Sequence, residues 1–259
     1  FRDLFKYAKD LNADALVTGH YVTRIQKNGH ANMYRAKDHN RDQSYFLFST
    51  SQEQLDYLRF PLGEIDKSET RSLASKLKLI VADKPDSQDI CFVPNGDYSS
   101  VIKRFKPDSF KSGKIIDING KEIGKHEGII NYTIGQRKGI KISNEKPLYV
   151  INIDANQNTI VVGDKKYLEI KEIELKNLNL LGGAKDFDKT ISIKVRSTGK
   201  FLRAKIKILK NNCAKVEILD TETGISPGQA CVFYSKDDLG DKVLGGGWIH
   251  KANNKNLST

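Results

Sequence analysis

Three features of the sequence predict an α/β segment followed by a mostly β remainder. The chain opens on a helical pattern, a short apolar strand and a glycine turn, the rhythm of an open α/β sheet. Its character changes after Cys91-Phe92-Val93. From about residue 170 it becomes a series of alternating strands at near-regular spacing, which indicates a small barrel or sandwich.

In order, Phe1, Leu4, Phe5, Ala8 and Leu11 follow the i, i+3, i+4, i+7 spacing of one buried helix face. Ala13-Asp14-Ala15-Leu16-Val17 reads as a strand running into Thr18-Gly19-His20-Tyr21. Ligands of open α/β sheets sit at the carboxyl ends of strands, where Gly19 falls. A hairpin is expected around Asn28-Gly29, extending to Arg35. Ser51 with Gln54 predicts a capping box for a short helix through Leu58, and Asp66 with Glu69 another for a helix to Leu77 whose apolar positions include Leu73 and Leu77.

A capped helix over 97–105 follows, then a hairpin at Ile118-Asn119-Gly120-Lys121 and another pairing 148–153 with 159–162. Strands over 191–195, 204–208, 214–218 and 230–234 alternate, so each is expected to bury one face. The Asn-rich stretch 251–259 reads as a frayed tail.

The net charge of +11 and pI near 9.4 suit a polyanionic partner, because each cation on a phosphate releases counterions. The lysines are spread along the chain and form no basic tail. No apolar run approaches the ~20 residues of a membrane span, and no signal peptide is visible. Of the three cysteines, Cys91, Cys213 and Cys231, none forms a CxxC pair, so no metal site is expected. Cys213 lies in a turn-like Asn211-Asn212-Cys213, and Cys231 within an alternating strand. A reducing, cytoplasmic compartment is the expectation.

Three clusters carry candidate chemistry. Gly19 in the GHY turn lets backbone approach a ligand closely. Arg41-Asp42-Gln43-Ser44-Tyr45 places a cation, a carboxylate and an amide together, groups able to pin a phosphate and a base edge. Cys91 lies in Asp86-Ser87-Gln88-Asp89-Ile90-Cys91-Phe92, where Asp86 and Asp89 oppose thiolate formation unless Lys84 or a ligand offsets them. Each cluster alone also has an ordinary reading: a strand-to-loop turn, a helix cap with a solvated arginine, and a core-filling cysteine.

Their combination and order are more specific. GHY, DQSYFL, DSQDICF, Thr133-Ile-Gly-Gln-Arg-Lys-Gly139 and Ser226-Pro-Gly-Gln-Ala230 together resemble the tRNA-specific 2-thiouridylase family, over about residues 1–249. GHY by itself is shared with other PP-loop ATP pyrophosphatases. The resemblance implies the C-terminal part of a PP-loop domain at 1–95, a small central domain at 96–168 and a C-terminal β-barrel at 169–251, with the tail at 252–259. It implies ATP-dependent 2-thiolation of the tRNA wobble uridine, by adenylation of the C2 oxygen and sulfur transfer from a cysteine persulfide. ATP would be a substrate accompanied by Mg, with no stable prosthetic group. The partners would be tRNA and a persulfide donor such as a cysteine desulfurase or relay protein, with no membrane.

Residue by residue, Cys91 matches the family's persulfide-bearing cysteine and Gly19 its ATP-contacting glycine. His20, the Arg41, Asp42 and Gln43 triplet, Arg196, Ser197 and Gln229 match tRNA contacts. Arg137 and Lys138 of the TIGQRKG loop are expected near RNA but outside the chemistry. The family's SGGxDSS phosphate-binding loop and first catalytic cysteine would precede the segment matching Phe1. The resemblance therefore implies an N-terminally truncated chain, with catalysis belonging to the full-length protein. Gln88-Asp89 departs from the smaller residues relatives often carry there, and leaves the thiol in place. The alternatives are a non-catalytic tRNA-binding fragment and a different PP-loop adenylating ligase.

Overall fold

A computed structural model describes residues 1–27, 29–82, 98–105 and 110–253. The chain divides into two compact units. The first comprises Phe1–Lys84, Glu172–Asp220 and Pro227–Ala252, and the second Pro85–Lys171, Thr221–Ser226 and Asn253–Thr259.

In the first unit, α1 (Arg2–Asp10) leads to β1 (Leu16–Val17) and to the hairpin β2 (Val22–Lys27) and β3 (His30–Arg35). Lys27 pairs with His30, and Gly29 takes φ +82°, the left-handed turn that a two-residue hairpin loop requires. Then come α2 (Ser44–Leu47), α3 (Gln52–Tyr57), β4 (Leu58–Arg59) and α4 (Lys67–Lys76). The short β1 pairs in parallel with β4.

The capping box of α3 forms as expected: Ser51 Oγ accepts from the Gln54 amide, and Gln54 Oε1 accepts from the Ser51 amide at 3.1 Å. At α4 the helix forms, but the Asp66 side chain makes no capping bond; it pairs instead with Lys37 at 3.4 Å. The helix's apolar positions Leu73 and Leu77 are 44% and 69% exposed. In α1 only Ala8 is buried; Leu4 and Leu11, placed on the buried face by their spacing, are exposed. Spacing identifies an apolar face without identifying what covers it.

The second unit begins with α5 (Tyr98–Phe105); the expected cap at Asp97 lies outside the described residues. It continues with β5 (Gly113–Asp117), β6 (Glu122–His126), β7 (Tyr149–Asp154) and β8 (Thr159–Gly163), in sheet order β6-β5-β8-β7. Both expected hairpins form. Ile115, Ile140, Val150, Ile160 and Val162 make a core of their own. The TIGQRKG loop is knotted by its own amide: Gln136 Oε1 accepts from the Thr133 amide and Gln136 Nε2 donates to the Lys138 carbonyl, both at 2.9 Å. Arg137 and Lys138 are left at the surface.

The remaining strands are β9 (Glu169–Leu180), β10 (Ile191–Lys194), β11 (Leu202–Leu209), β12 (Cys213–Thr223), β13 (Ala230–Asp237) and β14 (Gly240–Asn253). They run in the order β13-β10-β11-β12-β9-β14, and β14 returns to β13, closing a six-stranded barrel. Alternation holds in β11 and β12, where Leu202, Ala204 and Ile206 face Ala214, Val216 and Ile218 inward.

It fails in β13, where Ala230 through Tyr234 are all buried. Ala230, Val232 and Tyr234 join Val22, Met33, Tyr45, Leu47, Phe48, Leu55 and Leu58 in one core, while Cys231 and Phe233 point to the opposite face at 0% exposure. A strand covered on both faces reads as a continuous apolar run, which is what ACVFY is. The barrel and the α/β segment therefore share a hydrophobic core. β14 continues to Asn253, into the stretch read as a frayed tail.

Candidate nucleic-acid interface

The turn after β1 is held on one side by the Thr18 amide donating to the Arg59 carbonyl at 3.0 Å. On the other side Gln43 closes a mutual pair with Tyr21: the Tyr21 amide donates to Gln43 Oε1 at 2.8 Å, and the Gln43 amide donates to the Tyr21 carbonyl at 2.9 Å. Gly19 and His20 are thus fixed beside the DQSY segment. His20 Nδ1 lies 2.8 Å from Thr18 Oγ1, with its ring edge-on to Phe1. Burial lowers its pKa, disfavouring the charged imidazolium. Gly19 is exposed, and a Cβ there would meet only Leu62 Cδ1 at an ordinary 3.7 Å. Among the described residues, packing does not demand glycine at this position.

Asp42 has an inward role. Its carboxylate, 3% exposed, accepts from Arg35 Nε at 2.8 Å, from the Ala36 and Ser44 amides at 3.1 Å, and from Ser44 Oγ at 2.9 Å. Ser44 Oγ also meets Tyr234 Oη at 3.1 Å, and Arg35 reaches Asp241 at 3.2 Å. One carboxylate therefore ties β3 and α2 to β13 and β14. Arg41, next in sequence, is exposed.

Beyond α2 lies a cleft of about 330 Å³, wholly within the first unit. Its rim carries Arg196, Ser197 and Gln229, three of the residues singled out by sequence. The Lys194 ammonium, buried under the turn, donates to the Ser197 carbonyl at 2.6 Å. Its pKa is lowered by burial and by the charge of Arg35. At Gly199 a Cβ would strike Arg196 Cγ at 2.8 Å, so glycine makes room for the arginine stem. Gln229 is set by the Ile249 amide donating to its carbonyl at 2.8 Å.

The apolar part of this cleft was not legible in advance. Tyr45 forms its floor, with Oη donating to the Ala230 carbonyl at 2.9 Å. Phe46 stands 62% exposed and packs edge-on to Tyr45 at 5.5 Å; Trp248 is 45% exposed and packs edge-on to Phe48 at 5.6 Å. The Gly245-Gly246-Gly247 run makes this possible, because a Cβ on Gly246 would collide with Phe48 at 2.8 Å. That glycine run before a lone tryptophan was the sequence signal available.

The structure thus gathers Gly19, His20 and Gln43 at one end of α2, and Arg196, Ser197 and Gln229 around its other end. Cys91 lies outside the described residues, so its expected place near Gly19 is not part of this geometry. Cys231 is sealed in the barrel, and burial pushes its thiol pKa up. Cys213, at the start of β12, donates to the Asn211 carbonyl at 3.3 Å. Among the described residues no group of three His, Cys, Asp or Glu is arranged to hold a metal, and no helix is long and apolar enough to cross a membrane.

Three family models match the chain: a tRNA methyl transferase HUP domain over residues 1–95, a tRNA methyl transferase PRC-barrel domain over 99–164, and an aminomethyltransferase beta-barrel domain over 170–249. Among curated proteins, the tRNA-specific 2-thiouridylase MnmA of Rickettsia bellii (strain OSU 85-389) is 54% identical over 251 residues, covering 96% of this chain and 67% of the relative. The proteins of the same name from Rickettsia massiliae and Dinoroseobacter shibae are 52% and 51% identical, each over 96% of this chain and over 68% and 66% of their own lengths.

Proposed function

Because the chain belongs to the tRNA-specific 2-thiouridylase family, we propose that it serves ATP-dependent 2-thiolation of the tRNA wobble uridine. The observation that carries this reading is identity of 54% sustained over 96% of the chain, across a sequence that keeps the cysteine-bearing DSQDICF motif.

In this reading the uridine C2 oxygen attacks the α-phosphate of ATP and pyrophosphate leaves. The sulfane sulfur of a cysteine persulfide then bonds to C2, and AMP departs with the former C2 oxygen. Cleavage of the persulfide S–S bond by a second thiol leaves the two cysteines as a disulfide. Adenylation is needed because a carbonyl oxygen is a poor leaving group, whereas AMP is a good one; the persulfide is a strong nucleophile at neutral pH. Cys91 is our candidate for the persulfide carrier. The target base must leave its stack to be reached.

Gly19 is proposed as the nucleotide contact. Support comes from its exposed backbone at the end of β1 and from the lack, among the described residues, of a packing reason for glycine there. The phosphate-binding SGGxDSS loop is not among the 259 residues, so we assign catalysis to a protein that includes it. His20, Arg41, Arg196, Ser197 and Gln229 are proposed to touch tRNA. Asp42 and Gln43 would act on it indirectly, Asp42 by anchoring α2 and Gln43 by fixing the GHY turn. A persulfide donor completes the system, and the setting is the cytoplasm.

The matched models are described by methyl transfer and the relatives by thiolation; the Cys91 motif favours sulfur. The test is to incubate the full-length protein with ATP, a persulfide donor and unmodified tRNA, and to analyse the wobble nucleoside by mass, beside a Cys91→Ser variant. The expected result is 2-thiouridine from the wild type and none from the variant. A methylated base, or binding without any modification, would overturn the thiolation reading. Equal thiolation by both proteins would remove Cys91 from the mechanism.

A further inference from the structure

We propose that Thr18 is a positioning residue for His20: its hydroxyl donates to Nδ1, and so presents Nε2–H as an uncharged donor to an oxygen acceptor of the bound RNA. This rests on the reading of the chain as a tRNA-binding protein, and adds the residue that sets the chemistry of one contact.

Both residues are held by their backbones before their side chains meet. The Thr18 amide donates to the Arg59 carbonyl at 3.0 Å, where β1 pairs with β4. The His20 carbonyl accepts from the Val22 amide at 3.2 Å, at the start of β2. The His20 ring stands edge-on to Phe1, with centroids 5.5 Å apart. Across Gly19, Thr18 Oγ1 then reaches His20 Nδ1 at 2.8 Å. The ring is therefore oriented by a contact two residues away in the chain.

Counting protons gives the direction of this bond. A neutral imidazole carries one N–H, and a hydroxyl has one proton to give. If Nδ1–H donated to Thr18, the hydroxyl proton and the Nε2 lone pair would both lack a partner among the described residues. If the hydroxyl donates to Nδ1, only Nε2–H is left over. Burial favours a neutral ring, which keeps a lone pair to accept the hydroxyl proton. Among the described residues no buried side-chain nitrogen or oxygen lacks a partner. Nε2, which makes no hydrogen bond there, is therefore open to solvent. An uncharged N–H pairs with a base or ribose oxygen and releases no counterion, unlike a lysine or arginine on a phosphate.

The first readout needs no RNA. Nitrogen–proton correlation spectra of the 259-residue chain resolve the ring nitrogens of its five histidines, with His20 assigned through a His20→Gln variant. The expected result is Nδ1 unprotonated and Nε2 protonated in the wild type and in Thr18→Ser, and mixed tautomers in Thr18→Val. A wild-type ring protonated at Nδ1, or an unchanged tautomer in Thr18→Val, would overturn the assignment whether or not RNA binds. The second readout is the anisotropy of end-labelled unmodified tRNA. Thr18→Val should weaken binding by about fivefold, the worth of one uncharged hydrogen bond, and Thr18→Ser should restore it. The dependence of affinity on salt should stay the same, because no phosphate contact is lost. Thermal unfolding of both variants checks that the fold is intact. Unweakened binding by a Thr18→Val protein whose tautomer has shifted would overturn the RNA contact through Nε2–H. Absence of tRNA binding by the wild type would count against the functional reading and remove the RNA contact with it; the tautomer would then decide the Thr18 assignment alone.

Discussion

Inside the barrel, Leu202, Ala204, Ile206, Ala214, Val216 and Ile218 are all buried, whereas on α1 and around α4 Leu4, Tyr7, Leu73, Leu77 and Ile80 stand open to solvent. Both regions obey the periodicity of their secondary structure. They differ in closure. A barrel returns its last strand to its first and supplies both walls of its own core. A helix on an open sheet supplies one apolar face, and among the described residues the two-stranded β1–β4 sheet leaves it uncovered. The α/β segment is nevertheless anchored where it meets the barrel, through the shared core and the Asp42 network. The candidate RNA contacts cluster at that anchored seam rather than on the uncovered helices.

The largest expected effect comes from breaking the seam. Asp42→Ala leaves Arg35 short of its main partner and takes the acceptor from the Ala36 and Ser44 amides, at a cost of about 3–5 kcal/mol. Urea denaturation should show the loss, with a separate early transition if the α/β segment detaches from the barrel. A single cooperative transition at unchanged midpoint would show that the network does not hold the two together.

Gly245→Ala tests the barrel wall. Gly245 has φ +116°, and a Cβ would lie 2.0 Å from the Asn179 carbonyl oxygen; about 3 kcal/mol of destabilisation is expected. The comparison itself is tested by a pair of truncations. Ile193→Ala, at a residue with 0% exposure in β10, should cost about 2–4 kcal/mol. Leu4→Ala in α1 should change stability by no more than about 0.5 kcal/mol. Equal losses would mean that the α1 face is covered in solution.

The smallest effect is a pH dependence. Burial pushes the Tyr45 pKa up to about 12. Its contribution is complete below the usual tyrosine value of about 10, and is lost as pH rises towards the folded-state value, because the unfolded chain ionises first. Tyr45→Phe should therefore flatten the fall in urea midpoint between about pH 9 and about pH 11. Part of the slope will remain, because Tyr34 and Tyr234 are shifted in the same direction.

The sequence by itself determined the elements whose signals are local. The hairpins at Gly29 and Gly120 form because few other residues accept their left-handed φ values. The α3 capping box forms because Ser51 and Gln54 reach each other across one helical turn. Strands β11 and β12 bury every second residue, as their pattern states. The order of motifs likewise carried the family. Tertiary structure alone decided what those elements meet. It placed both faces of β13 against different cores, turned the Asp42 carboxylate inward, and left Leu4 and Leu77 uncovered. It also brought Phe46 and Trp248, separated by 202 positions in the chain, to one cleft with Arg196. Periodicity records which side of an element is apolar. The identity of its neighbour depends on chain closure over long sequence separations, and no local pattern encodes that.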